Sequence, residues 1–233
     1  METKVIIRDL FTDKLEKTGI KCVKCNFWFD YDKKSLLEGF SGIKSISDAK
    51  DMLKRTFHEN IYKKTDQKKL ATFSSNGGII KGAFKNNKCT GMLIAGDYNL
   101  FPKLKSFKVY PPDPKSTFLG CIFVEPPYRG TGIKKRLLIE LEKDLLKKNI
   151  GSIETIGKRL DDDTTEDEFE NSPLLSFKFL INNGFYLKKN DKYYPLLRLD
   201  LRSIAKSFSA EQLLLEKLAY KKTVRSPAII REK

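Results

Sequence analysis

Apolar positions along this chain fall into two rhythms, one of strands and one of helices, and they follow one another in a mixed order. Lys4 to Arg8 (K-V-I-I-R) predicts a first strand. Ile79 to Phe84 and Cys89 to Ala95 are apolar runs that meet across Asn86-Asn87, which predicts a hairpin. Ser116 to Val124 predicts a central strand and Ile150 to Gly157 the next one. Phe185 to Lys189 and Tyr193 to Leu201 predict two closing strands. Helical spacing appears in Ser47 to Lys64, where Ala49, Met52, Leu53, Phe57 and Ile61 follow an N-cap serine. It returns in Arg129 to Lys148, through Ile133, Leu137, Leu138, Leu141 and Leu145. Ser172-Pro173 predicts another helix start, with Ser at N-cap and Pro at N1, ending at Asn183-Gly184. Phe208 to Lys221 reads as an amphipathic C-terminal helix. Ile20 to Phe29 fits a strand or a helix equally, and Gly77-Gly78 is a turn. Residues 99–115 hold four prolines and predict a long irregular connection.

Composition changes this picture little. The 233 residues suit one domain of modest size, or one domain with an appendage. The formal charge of +15 favours polyanionic partners, but the lysines are spread along the chain and mark no single basic face. Nucleic acid is therefore not the partner expected, although charge alone allows it. No signal peptide is visible and no apolar run is long enough to span a bilayer, so a cytoplasmic location without membrane association is expected. Four cysteines in such a chain read as free thiols.

The chemistry concentrates in Cys121 to Leu138, C-I-F-V-E-P-P-Y-R-G-T-G-I-K-K-R-L-L. An apolar strand runs to Val124, a Pro-Pro-Tyr turn follows, then Arg129-Gly130-Thr131-Gly132 opens a helix. Backbone N–H groups at a helix start have no internal partner, and the helix dipole adds positive charge there. A pyrophosphate is the natural guest. Lys134, Lys135 and Arg136 stand at this positive end, where a bound polyanion compensates them.

At these residues the chain resembles the GNAT acetyltransferase superfamily, whose phosphate-loop signature is Q/R-x-x-G-x-G/A after a central strand. Arg129 and Gly132 match it, while Lys134 stands where Gly or Ala is usual. Phe177 to Phe185 (F-K-F-L-I-N-N-G-F) looks like the family's helix-then-Gly-Phe element. The resemblance covers roughly residues 76–201. It implies an α/β fold of the α+β type, with a mixed, mostly antiparallel twisted sheet flanked by helices and a splayed central strand pair. It implies one domain over residues 1–202, followed by a C-terminal helix and tail over 203–233.

The activity implied is acetyl transfer from acetyl-coenzyme A, as co-substrate, to an amine. The cofactor would meet Arg129, Gly130, Thr131, Gly132, Ile133, Lys134 and Lys135 at its phosphates. Its pantetheine arm would run along Ile122, Phe123 and Val124, with a polar contact from Asn171 or Ser172. Glu125 and Glu154 are the candidate bases, and Cys121 is a candidate nucleophile. The family's thiolate acid, a Tyr, falls at Leu180, so Ser176 one turn earlier is the candidate substitute, with Tyr186 a further hydroxyl. No metal is expected, because Cys22 and Cys25 lack a second pair of ligands at suitable spacing. The acceptor is a small-molecule or peptide amine. The acidic run Asp161 to Glu170 suits a cationic one. The protein is expected to be a monomer or homodimer. The alternative is a GNAT-fold module that binds acyl-coenzyme A without catalysis, as a sensor or interaction protein.

Overall fold

The computed structural model describes residues 5–10, 18–29, 67–159 and 172–201. The expected helices over Ser47–Lys64 and Phe208–Lys221, the acidic run Asp161–Glu170 and Asn171 lie outside the described residues. The elements are β1 (Ile6–Asp9), α1 (Gln67–Ser75), β2 (Ile79–Lys85), β3 (Lys88–Gly96), β4 (Thr117–Val124) and α2 (Ile133–Lys147). Then come β5 (Ser152–Lys158), β6 (Leu175–Ser176), α3 (Phe177–Asn182), β7 (Tyr186–Lys189) and β8 (Leu196–Asp200). The strands form one sheet in the order β1-β2-β3-β4-β5-β8-β7, with β6 pairing β5. All pairs are antiparallel except β4 with β5 and β5 with β6. This is the mixed, mostly antiparallel sheet with flanking helices that the family resemblance implies.

The hairpin turns where expected. Asn86 (φ 51°) and Asn87 (φ 62°) both take the left-handed region that a tight two-residue turn requires. Two apolar clusters cover the two faces of the sheet. On one face, Trp28, Phe101 and Phe118 meet edge to face at 5.0–5.8 Å, with Phe73 of α1 packed on Phe101. On the other, α2 buries Ile133, Leu137, Leu138, Leu141 and Leu145 against Leu93, Leu119, Ile153 and Leu197. Each such side chain is worth about 1.5–3 kcal/mol. Lys81, almost fully buried on β2, is held by Asp9 of β1 at 2.7 Å and by Asp144 of α2.

Two expectations are corrected, and one element is added. Ile20–Phe29 is neither strand nor α-helix but a 3-10 turn at Lys21–Lys24 followed by a further turn. Gln67–Ser75 forms a helix that the sequence reading does not assign. Ser172 does not cap a helix: its Oγ accepts the Leu174 N–H at 3.2 Å, and the helix starts only at Phe177, capped by Ser176. The physical reason is β5. Its far edge is left bare by β4, and Leu175–Ser176 pairs with it as a strand. The Gly184 terminator does stand as predicted, at φ 85° behind Asn183.

Glu142 sits among the apolar positions of α2 at 8% exposure. Burial pushes its carboxyl up to about 7, only partly offset by Lys135. A carboxyl raised in the fold favours the native state below its unfolded range and opposes it as pH rises through 7. Glu142→Gln should therefore raise the melting midpoint at pH 8–9, by up to about 3 kcal/mol in stability. It should change nothing near pH 4. Paired thermal melts across pH check this, and a gain independent of pH would contradict it.

Candidate functional site

β4 and β5 run side by side for two residues only, Thr117↔Ile153 and Phe118↔Glu154. Beyond that the two strands part. β5 takes β6 as its neighbour, through Gly157↔Leu175 and Lys158↔Ser176. The Glu125 N–H donates to Thr90 O at 2.9 Å, so alternation along the antiparallel ladder turns Cys121 and Phe123 toward β3 as well. Ile122 and Val124 therefore present their backbone groups to the gap left by β5.

That gap is a cavity. One wall is Ile122, Phe123 and Val124, and the other is Ser172, Leu174, Leu175 and Ser176. Arg129 and Lys134 complete the lining. Arg129 Nε donates to Val124 O at 3.3 Å, which ties the loop to the strand end. Lys134 extends its ammonium over the Phe179 ring, 5.4 Å from the centroid, and so links α2 to α3. Its bulk, in place of the small residue of the signature, bridges two elements of the cavity wall.

The loop between β4 and α2 takes its form from two glycines. Gly130 (φ 75°) and Gly132 (φ 78°) both lie in the left-handed region, where a Cβ would be strained even though space is open around each. Thr131 Oγ1 donates to Tyr128 O at 2.7 Å and closes the turn. Gly132 is the N-cap of α2 and offers no capping side chain, and the first turn of the helix contains no acid. A glycine-capped helix start with Lys134 and Lys135 beside it has the N–H groups and the positive charge that suit an anion. Arg136 does not join it, because its guanidinium donates to Val5 O at 2.7 Å on the N-terminal segment.

Six of the residues expected to meet the cofactor share one cavity: Ile122, Phe123, Val124, Arg129, Lys134 and Ser172. Gly130, Thr131, Gly132, Ile133 and Lys135 adjoin it in the loop and first helical turn. Ser176 also lines it, though its Oγ accepts the Phe179 N–H at 3.4 Å as the cap of α3. Glu125 follows β4 directly, with its charge felt by the thiols of Cys22 and Cys89 on the face opposite α2.

The remaining candidates are placed elsewhere. Cys121 is buried on the face away from α2, among Phe118, Trp28 and Met92. Burial raises its thiol far above the ordinary range, and Cys25 adds to this. Such a thiol is a core residue rather than a nucleophile. Glu154 lies at the last paired position of the strands, fully buried. Its carboxylate accepts from Arg198 at 3.0 Å, from the Asp113 N–H at 2.9 Å and from Lys188. Its oxygens are taken up by these donors, and Glu154 is not among the residues that line the cavity. Leu180, at the position of the family's acid, is fully buried and packs by Gly157. Tyr186 donates its hydroxyl to Asp200 at 2.8 Å. Sequence reasoning missed Leu174 and Leu175 as cavity wall. The one signal for them was an apolar pair beside the Ser-Pro.

A family model described as the acetyltransferase (GNAT) family matches residues 46–167, more than half of the chain. No curated protein matches. Among solved structures, a PaiA N-acetyltransferase from Thermoplasma acidophilum in complex with coenzyme A is 18% identical, over 84% of this chain and 99% of that one, at a TM-score of 0.46. An acetyltransferase of the GNAT family from Staphylococcus aureus is 18% identical over 85% and 99%, at 0.44. An acetyltransferase from Thermus thermophilus is 10% identical over 84% and 97%, at 0.47. Among the described residues, no helix is long and apolar enough to cross a membrane.

Proposed function

The chain belongs to the GNAT acetyltransferase family, and from that premise we propose that it transfers an acetyl group from acetyl-coenzyme A to an amine. The observation that carries the proposal is the gap between β4 and β6, with a strand edge that no described strand pairs and the glycine-capped start of α2 close by in the chain. A slender amide-bearing arm fits the edge of Ile122 and Val124, and a pyrophosphate fits the N–H groups of Gly130 to Lys135. Coenzyme A joins these two chemistries in one molecule.

In this reading the loop from Arg129 to Lys135 anchors the phosphates. Ile122 aligns the arm and aims its N–H at the thioester carbonyl, where charge develops as the amine adds. The N–C bond forms and the C–S bond breaks. Glu125, which directly follows the strand that carries Ile122 and Val124, takes the amine proton, directly or through water. Ser176 keeps its hydroxyl hydrogen while accepting from Phe179, so it can donate to the departing thiolate. The acceptor is an amine, and the acidic run Asp161 to Glu170 suits a cationic one. A cytoplasmic setting goes with this substrate pair.

The test is twofold. Acetyl-coenzyme A should raise the melting midpoint of the protein, and a panel of primary amines should release free thiol from it. Glu125→Gln should lower kcat by about 10²–10⁴ with little change in KM for acetyl-coenzyme A. An unchanged kcat would remove Glu125 from the role of base. The buried Leu180, which carries no acid, favours a second reading: a module that binds acyl-coenzyme A without turnover. Stabilisation by the cofactor with no thiol release from any amine would select it.

A further inference from the structure

The backbone ladder between β4 and β5 ends at Phe118↔Glu154. At the next residue, the Leu119 carbonyl receives a side chain in place of a backbone N–H. Thr155 Oγ1 donates to it at 2.7 Å. Both residues are fully buried. The backbone of Thr155 pairs with Leu197 of β8, so the hydroxyl belongs to the continuous part of the sheet. One residue further along β4, the register against β3 slips between Ala95↔Leu119 and Ile94↔Cys121. Gly120 is the extra residue of this bulge. The slip changes the phase of the strand, so that Ile122 rather than Cys121 turns toward the cavity.

A bulge is a local break in the ladder, and its aim depends on what holds it. On the sheet face away from α2, Phe101 presses on Gly120, where an added Cβ would lie 2.5 Å from the ring. From the β5 side, the holder is the Thr155 hydroxyl. A peptide unit is planar, so fixing the Leu119 carbonyl fixes the direction in which the chain enters the bulge. Resting on the acetyl-transfer reading above, we propose that Thr155 is a positioning residue for that reaction: by holding Leu119 O it keeps the Ile122 N–H aimed at the thioester carbonyl. It touches neither substrate. It acts through the bulge.

Thr155→Val keeps the shape of the side chain and removes the donor. Thr155→Ser keeps the donor. The measurements are hydrogen exchange across residues 119–122 without ligand, and steady-state kinetics well below the melting midpoint. Thr155→Val should speed exchange there by about tenfold. It should lower kcat by about tenfold to a hundredfold, as a small misalignment does. The KM for acetyl-coenzyme A should move by less than about twofold, because the phosphate loop is untouched. Thr155→Ser should restore both readouts. Wild-type exchange in Thr155→Val overturns the proposal, as does a Thr155→Ser variant that fails equally. A loss confined to the melting midpoint or to KM also overturns it. If the wild type releases no thiol with any amine, the acetyl-transfer reading falls instead, while the exchange arm still decides whether Thr155 fixes the bulge.

Discussion

Arg198→Ala should cost about 3–5 kcal/mol of stability, the loss expected when a buried charge is stripped of its partner. For a chain of this size that is a fall of roughly 10 °C in melting midpoint. The guanidinium reaches Glu154 at 3.0 Å, Asp113 at 2.9 Å and, through Nε, Asp200 at 2.7 Å. The Glu154 side chain has no exposure at all. Without Arg198, three carboxylates share Lys188 among the described cations. A double change, Arg198→Ala with Glu154→Gln, should recover much of the loss, because no buried charge is then left uncompensated. An Arg198→Ala midpoint equal to wild type would contradict this account.

The same network sets a pH signature. Hydrogen bonding from Arg198 holds Asp200 below the usual carboxylate range, and the Lys115 N–H and then Arg198 do so for Asp113. Carboxyls lowered in the fold stabilise it fully above their unfolded range, near pH 4, and lose that contribution as pH falls further. The gap between wild type and Arg198→Ala should therefore be widest near neutrality and shrink in acid. Denaturation midpoints between pH 2.5 and 7 measure it.

What the sequence made legible was local. The five apolar positions of α2 lie within thirteen residues, and one helical period identifies them all as core. The Asn86-Asn87 turn and the Gly184 terminator are each decided by one or two backbone conformations that few residues adopt. The loop from Arg129 to Gly132 is legible for the same reason, since strand, glycines and helix follow within a dozen residues. Ser172-Pro173 shows the limit. Its local preference for a helix start was overruled by the bare edge of β5, which no pattern near residue 172 announces.

Long-range partners explain the remainder. Glu154 alternates correctly as a strand residue, yet its role depends on Arg198 and on the Asp113 N–H, each some forty residues away in the chain. Lys134 reads in sequence as a clash with the family pattern. In the fold its ammonium lies over Phe179, a contact that no local spacing foretells. Cys121 changes face because Gly120 adds a residue to β4, and an apolar strand with one glycine does not declare a bulge. The residues proposed to bind the cofactor thus lie mostly in one segment, whereas the groups weighed as acid and base are spread over several elements.

Gly132→Val should weaken coenzyme A binding by on the order of 100-fold or more. At φ 78° a β-branched residue is strained by about 1–2 kcal/mol and will pull the loop toward an ordinary conformation. Gly132 is also the N-cap of α2, so the change re-aims the first N–H groups of the helix. Losing two charge-assisted hydrogen bonds at about 1.5–3 kcal/mol each gives the stated factor. Lys135→Glu should act at the same place by charge alone, leaving the backbone intact, and its penalty should shrink as salt rises. Gly132→Ala should fall between wild type and Gly132→Val, because alanine is strained there without β-branching. Titration calorimetry with coenzyme A measures all three, and circular dichroism confirms that each variant is folded. Affinity within twofold of wild type for a folded Gly132→Val would mean that the helix start is not where the phosphates are held.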